Sequence, residues 1–222
     1  MRYFLEIAYN GKSYCGWQRQ PNAMSVQETI EHALCNLLGE KIVITSAGRT
    51  DTGVHAKQLY AHFDIAIQPD IEHLIYRLNA FLPKDIAIKD LVPVTEEAHA
   101  RFDALEREYE YHIVFNKNPF KQELAFYTRK KQDISLMNAG AEMLFNYEDF
   151  KCFSRSKTDV KTYHCKIKKA QWEWQGDTLV FTIRADRFLR NMVRAIVGTL
   201  LNVGYGKTSL EDLHDIILSK DR

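Results

Sequence analysis

The residues best suited to chemistry lie in Gly48-Arg49-Thr50-Asp51-Thr52-Gly53-Val54-His55-Ala56. Two glycines bracket an Arg-x-Asp pair, and glycine at both ends permits a tight turn. Such a turn can aim a carboxylate and a guanidinium the same way. An ionised aspartate held like this can attack carbon or move a proton. A surface turn with an exposed ion pair, worth about 0–1 kcal/mol, would also explain the pattern. Against that reading, Arg49 and Asp51 are next-but-one neighbours, which is more order than a surface turn needs.

Two look-alikes are excluded by their surroundings. Asp51-Thr52-Gly53 spells the aspartic-protease triplet, but that chemistry shares one proton between two carboxylates. This chain has a single such triplet, with Arg49 beside it to favour full ionisation. Gly204-Tyr205-Gly206-Lys207-Thr208 suggests a phosphate loop, yet Leu201 stands where its first glycine belongs, and a helix, not a strand, precedes it. Cys15, Cys35, Cys152 and Cys165 form no CxxC pair and are read as reduced thiols; the eight histidines carry no metal-ligand spacing. A metal site is not expected.

The elements that must position the Asp51 segment follow from periodicity. Tyr3 to Tyr9 is rich in strand formers. Ser25-Val26-Gln27-Glu28 caps a helix with Val26, Ile30, Ala33, Leu34, Leu37 and Leu38 on one face, stopped by Gly39. Ile42 to Ala47 and the alternation at Leu59, Ala61 and Phe63 predict two strands, with Asp51 between them. A helix from Asp70 to Phe81 and a strand from Ile86 to Val94 complete the first half. The second half restarts at Tyr109, Tyr111, Ile113 and Phe115, followed by a helix from Asp133 to Phe145. Tyr163–Trp174 and Thr178–Ala185 then form a hairpin across Gln175-Gly176-Asp177. A helix over Phe188–Val203 places Arg187, Arg190 and Arg194 on one stripe, with Gly198 open to a close backbone neighbour; this stripe is also what arginines snorkelling at a core edge would give. Ser209 starts the last helix. The expected fold is α+β: two tandem, related α/β sandwich halves, 1–100 and 101–222, each an antiparallel sheet with helices on one face, flanking a central basic cleft. The second half lacks the final strand of the series.

The 222 residues carry 30 basic and 29 acidic side chains, for a net charge of +1, with 45% hydrophobic residues. That composition excludes disorder, no apolar run approaches the roughly 20 residues of a membrane span, and the N-terminus lacks a signal-peptide core. The near-neutral total conceals an asymmetry. Residues 1–100 hold 9 basic and 12 acidic side chains, whereas 151–194 hold 11 and 4. A charge run is commonly just a solvated surface; basic density beside Phe153, Tyr163, Trp172 and Trp174 is also what tracking a phosphate backbone requires.

Five blocks, in order, resemble the TruA family of tRNA pseudouridine synthases. They are Tyr9–Gln18 with Ser25-Val26-Gln27, Gly48–Ala56, Ala100–Ala104, Arg107-Glu108-Tyr109-Glu110-Tyr111, and Phe188-Leu189-Arg190-Asn191-Met192-Val193-Arg194. The resemblance implies isomerisation of uridine to pseudouridine in the tRNA anticodon stem-loop at positions 38, 39 and 40, by a cytoplasmic homodimer. It implies Asp51 as the catalytic aspartate, Arg194 as its partner cation and Tyr109 as the active-site tyrosine. Arg49 would fill the space left by the flipped base. Lys157, Lys161 and Arg190 are the expected phosphate contacts in the basic segment. The family continues past the last helix into a further strand, where this sequence stops at Lys220-Asp221-Arg222; and Ala185-Asp186-Arg187-Phe188 departs from the glycines or asparagine usual before the arginine helix. A non-catalytic RNA-binding module of the same fold is the competing expectation, and the joint presence of Asp51, Tyr109 and Arg194 favours the enzyme.

Overall fold

The computed structural model describes residues 1–155 and 160–221. The chain divides into two compact units, Met1–Ala104 and Leu105–Arg222. Each is an α+β layer structure built on one four-stranded sheet, as expected from the repeat.

In the first unit, β1 (Arg2–Tyr9) alternates strictly, with Tyr3, Leu5, Ile7 and Tyr9 buried. It pairs antiparallel with β3 (Ala56–Asp64) and β4 (Ile86–Val94), and β3 carries the two-residue β2 (Thr45–Ser46) at the edge. Helices α1 (Val26–Leu38) and α2 (Ile71–Phe81) both start at side-chain caps, the first of them expected from the sequence: Ser25 accepts from the Glu28 N–H and Asp70 from the His73 N–H. Val26, Ile30, Ala33, Leu34, Leu74 and Leu78 join the inward residues of the sheet in one core.

The strand expected over Ile42–Ala47 shrinks to Thr45–Ser46. Ile42 and Ile44 are buried as their alternation predicts, but side chains of α1 satisfy their backbone. The Glu31 carboxylate accepts the Ile44 N–H at 3.0 Å, the Gln27 amide donates to the Ile44 carbonyl at 3.1 Å, and the Cys35 sulfur accepts the Ile42 N–H at 3.2 Å. With its donors and acceptors met this way, the segment has no need of a ladder.

The outer face of this sheet holds a buried polar group that hydrophobic alternation does not foretell. His62, only 7% exposed, lies under the segment that follows β4. Its Nδ1 accepts the Ala100 N–H at 3.2 Å, and its ring meets the His99 ring edge-on at 4.6 Å. Arg2 grips Asp64 through two hydrogen bonds and the Ala98 carbonyl through a third, while Asp103 accepts the His99 N–H. Burial, followed by the neighbouring His99 and Arg2 charges, pushes the His62 imidazole below its ordinary value. A histidine depressed on folding stabilises the native state above its unfolded pKa of about 6.5, and that contribution is lost as pH falls toward the folded value. Urea melts between pH 7 and 5 are therefore expected to show stability falling with pH, by at most about 1.4 kcal/mol per unit from this group. His62→Gln should flatten that slope.

The second unit orders its strands β6-β5-β8-β7, where β5 is Arg107–Val114, β6 Phe126–Tyr127, β7 Ile167–Gln175 and β8 Thr178–Ala185. Its sheet mirrors the first: β5, β8 and β7 correspond to β1, β3 and β2. The position of β4 is taken by β6, a two-residue strand running parallel to β5 beside Ile113 and Val114. So short a strand leaves no periodic signal. Helices α3 (Ile134–Met143), α4 (Met192–Gly204) and α5 (Leu210–Ser219) cover one face around Trp172, Phe181, Met137, Met192, Ile196 and Leu213.

The expected helix over Phe188–Val203 begins later, at Met192. Asn191 sits at φ +65°, in the left-handed region that ends helical propagation. Arg187 and Arg190 therefore lie in the preceding turn and do not share a helical stripe with Arg194. Gly198 is likewise corrected: it is exposed, and a Cβ there would meet nothing within 4 Å, so no close backbone neighbour accounts for it. Among the described residues no helix is long and apolar enough to cross a membrane, and no group of three His, Cys, Asp or Glu side chains could hold a metal ion. All four cysteines are unbridged.

Candidate active site

The Asp51 loop runs from β2 to β3 and is held from both ends. The Ala47 N–H donates to the Tyr60 carbonyl at 2.7 Å, and the Ser46 hydroxyl donates to the Gly48 carbonyl at 2.7 Å. Within the loop, the Val54 N–H closes a turn onto the Asp51 carbonyl at 3.1 Å, and Gly53 adopts φ +74°. Asp51 is half-buried and Arg49 is exposed.

A second loop, residues 10–17, cradles the first. The buried Tyr9 shares a 2.8 Å hydrogen bond between its hydroxyl and that of Thr50. The Trp17 N–H donates to the Thr50 carbonyl at 3.2 Å, the Gly53 N–H to the Tyr14 carbonyl at 3.4 Å, and the Gly11 N–H to His55 Nδ1 at 3.1 Å. The approach is so close that a Cβ on Gly11 would fall 2.0 Å from the Val54 carbonyl oxygen, and one on Gly16 2.3 Å from that of Thr50. Tyr14 is anchored in turn through its hydroxyl to Asp85 at 2.8 Å, and burial together with that carboxylate raises its pKa well above the ordinary tyrosine range. The block Tyr9–Gln18 thus supports the block Gly48–Ala56 through backbone contacts, which spacing alone does not show.

The second unit positions its own share. Tyr109, on β5 opposite Ile183, is partly buried and meets the Phe188 ring edge-on at 5.2 Å. Tyr111, two residues along and so on the same face, is pushed up by burial, while the nearby Arg194 guanidinium acts in the opposite direction. Arg194 therefore stands on the first turn of α4 within electrostatic reach of the tyrosine face of β5. Sequence reasoning missed Tyr111 and Phe188 as members of this group; the period of two that selected Tyr109 also contained Tyr111. Arg190 is exposed in the turn before α4, where its carbonyl accepts the Arg155 N–H at 3.0 Å. Lys161 is exposed, and Lys157 lies outside the described residues.

Known proteins give this arrangement a context. A family model described as tRNA pseudouridine synthase matches residues 7–103 and 141–222. The chain belongs to the tRNA pseudouridine synthase family. A tRNA pseudouridine synthase A of Parabacteroides distasonis is 52% identical over all of this chain and 88% of its own length. That of Porphyromonas gingivalis is 49% identical over the whole chain and 89% of its own length. A more distant relative, tRNA pseudouridine synthase A 1 of Protochlamydia amoebophila, is 39% identical over 99% of the chain and 88% of its own. The reading of the chain as an isomerase of this family stands. The 7–103 match takes in the Asp51 loop and its cradle, and the 141–222 match takes in Arg194.

Proposed function

We propose that this protein isomerises uridine to pseudouridine in the anticodon stem-loop of tRNA, at positions 38, 39 and 40, acting in the cytoplasm as a homodimer. The reaction breaks the bond between N1 of uracil and C1′ of ribose, turns the base, and forms a bond from C5 to C1′. The C5 proton leaves and N1 gains one, so nothing is oxidised or reduced, and neither metal nor organic cofactor is required.

Each assigned residue has a distinct task. Asp51 supplies the ionised carboxylate that attacks, Arg194 the site's cation, and Tyr109 the ring that stacks on the uracil. Arg49 fills the gap left by the extruded base, which offsets part of a flipping cost of about a few kcal/mol. Lys157, Lys161 and Arg190 contact phosphates. The observation that carries the reading is the Asp51 loop, clamped at Thr50, Gly53 and His55 by residues 9–17 in a chain of this family. So much positioning of a solvent-facing turn serves catalysis better than folding.

Tritium release from tRNA labelled at uridine C5 tests the activity, and mapping of pseudouridine in the product tests the position. Release confined to nucleotides 38–40 is the expected result. Binding of tRNA without release would replace the enzyme by a non-catalytic RNA-binding module; release from other positions would overturn the anticodon assignment.

A further inference from the structure

Residues 116–131 have no part in the proposed reaction, yet they form an exposed and well-anchored surface of the second unit. Phe120 is 92% exposed, and Leu124, Phe126 and Tyr127 are exposed beside it in sequence. Exposing this much apolar surface calls for a reason. The stretch also holds five basic residues and a single acid, Glu123.

The segment is not a slack loop. Asn118 accepts the Phe120 N–H at 3.0 Å, and the Leu124 and Ala125 N–H groups both donate to the Lys121 carbonyl. The Lys121 ammonium is tied to Asp177 and to the Thr178 hydroxyl, fixing the Pro119–Lys121 turn onto the β7–β8 hairpin. The Thr128 N–H donates to the Val114 carbonyl at 3.1 Å, continuing from the β6 pairing. Arg129 Nε donates to the Tyr127 hydroxyl at 2.8 Å, and the Lys130 ammonium sits 5.7 Å over the Tyr205 ring. Lys121 is neutralised by its partner. Lys117, Arg129, Lys130 and Lys131 are exposed cations of the same segment.

We propose that this surface is a second tRNA contact, in which Phe120 stacks on an unpaired base and Arg129, Lys130 and Lys131 follow the phosphates. Rigidly presented aromatic rings among cations match single-stranded nucleic acid in both of its features, its faces and its charge. A second copy of the chain docking by this same patch about a two-fold axis would instead bring a second set of the same cations into one interface, which like-charge repulsion disfavours. Lys121, next to Phe120, is tied to Thr178 opposite Val114, five residues or about 16 Å along β5 from Tyr109, whereas Lys130 reaches Tyr205 and with it the neighbourhood of Tyr111. Phe120 is therefore offered to a nucleotide other than the target. This inference rests on the proposed function only in naming tRNA as the nucleic acid.

Fluorescence anisotropy with full-length tRNA and with an isolated anticodon stem-loop tests it, using Phe120→Ala and, independently, the double variant Arg129→Gln, Lys131→Gln. The expected results are about tenfold weaker tRNA binding for the first. For the second, the salt dependence of log K should shallow by about 1.5. Both changes are expected on full-length tRNA, and their size on the stem-loop tells whether the contacted base lies inside it. Unchanged affinity and salt slope in both variants would overturn the proposal. So would a dimer falling to monomer in either variant, which would mark a protein interface. Phe120-dependent tRNA binding in a chain that releases no tritium would leave this contact standing and remove the enzyme reading instead.

Discussion

Asp51→Asn is expected to lower pseudouridine formation by a factor on the order of 10⁴ or more, the scale seen when an attacking group is deleted. The amide matches the carboxylate in size and cannot ionise, so it removes the proposed nucleophile while leaving the volume in place. The loop contacts described above run through the Thr50 hydroxyl and carbonyl, the Gly53 and Val54 N–H groups, His55 and the Asp51 main-chain carbonyl. None of these depends on an Asp51 carboxylate oxygen, so these contacts should survive the substitution. Tritium release measured in single turnover gives the rate, and anisotropy should show tRNA affinity within about threefold of wild type. Residual release near the wild-type rate would remove Asp51 from the reaction altogether.

Gly16→Ala should have the second-largest effect, although residue 16 touches no reacting atom. It sits at φ +87°, where an L side chain is strained, and its added Cβ would lie 2.3 Å from the Thr50 carbonyl oxygen. That oxygen belongs to main chain adjoining Asp51, so relief of the clash must move the Asp51 loop. A displacement near 1 Å costs about 10²-fold in rate, and the strain itself about 1–3 kcal/mol of stability. Gly39→Ala supplies the comparison. Gly39 has a similar φ of +72° at the end of α1, but open space around it. It should lose stability alone, with kcat intact. If kcat of Gly16→Ala also stays within a few-fold of wild type, the cradle has no positioning role.

Those two glycines show where sequence reasoning reaches and where it stops. Elements shaped by local physics were legible. The Ser25 cap, the termination at Gly39 and the strand over Ile86–Val94 all coincide with the observed helix and strand. Features set by distant partners were not. Ile42–Ile44 carries a strand pattern, yet its hydrogen bonds go to α1 side chains. Phe188–Asn191 carries a helical pattern, yet Asn191 adopts a left-handed conformation in the turn. Phe126–Tyr127 is too short to show any period. At the site the same division holds. Gly48–Ala56 announces itself by composition, whereas the embrace by residues 9–17 depends on which oxygen faces Gly11 and Gly16, and only the folded unit determines that.

The chain entering the Asp51 loop has one further consequence, for how this sequence can drift. Gln27, Glu31 and Cys35 follow one another at intervals of four along α1, and they complete the main-chain bonding of Ile42 and Ile44. Their side chains work as proxy peptide groups. On most helices a polar residue of this kind can be exchanged with little effect; here an exchange at 27 or 31 is an edit to the backbone of the segment that delivers the Asp51 loop. Mutational tolerance along α1 should therefore alternate by face in an unusual sense, with these polar positions as restricted as the buried leucines beside them.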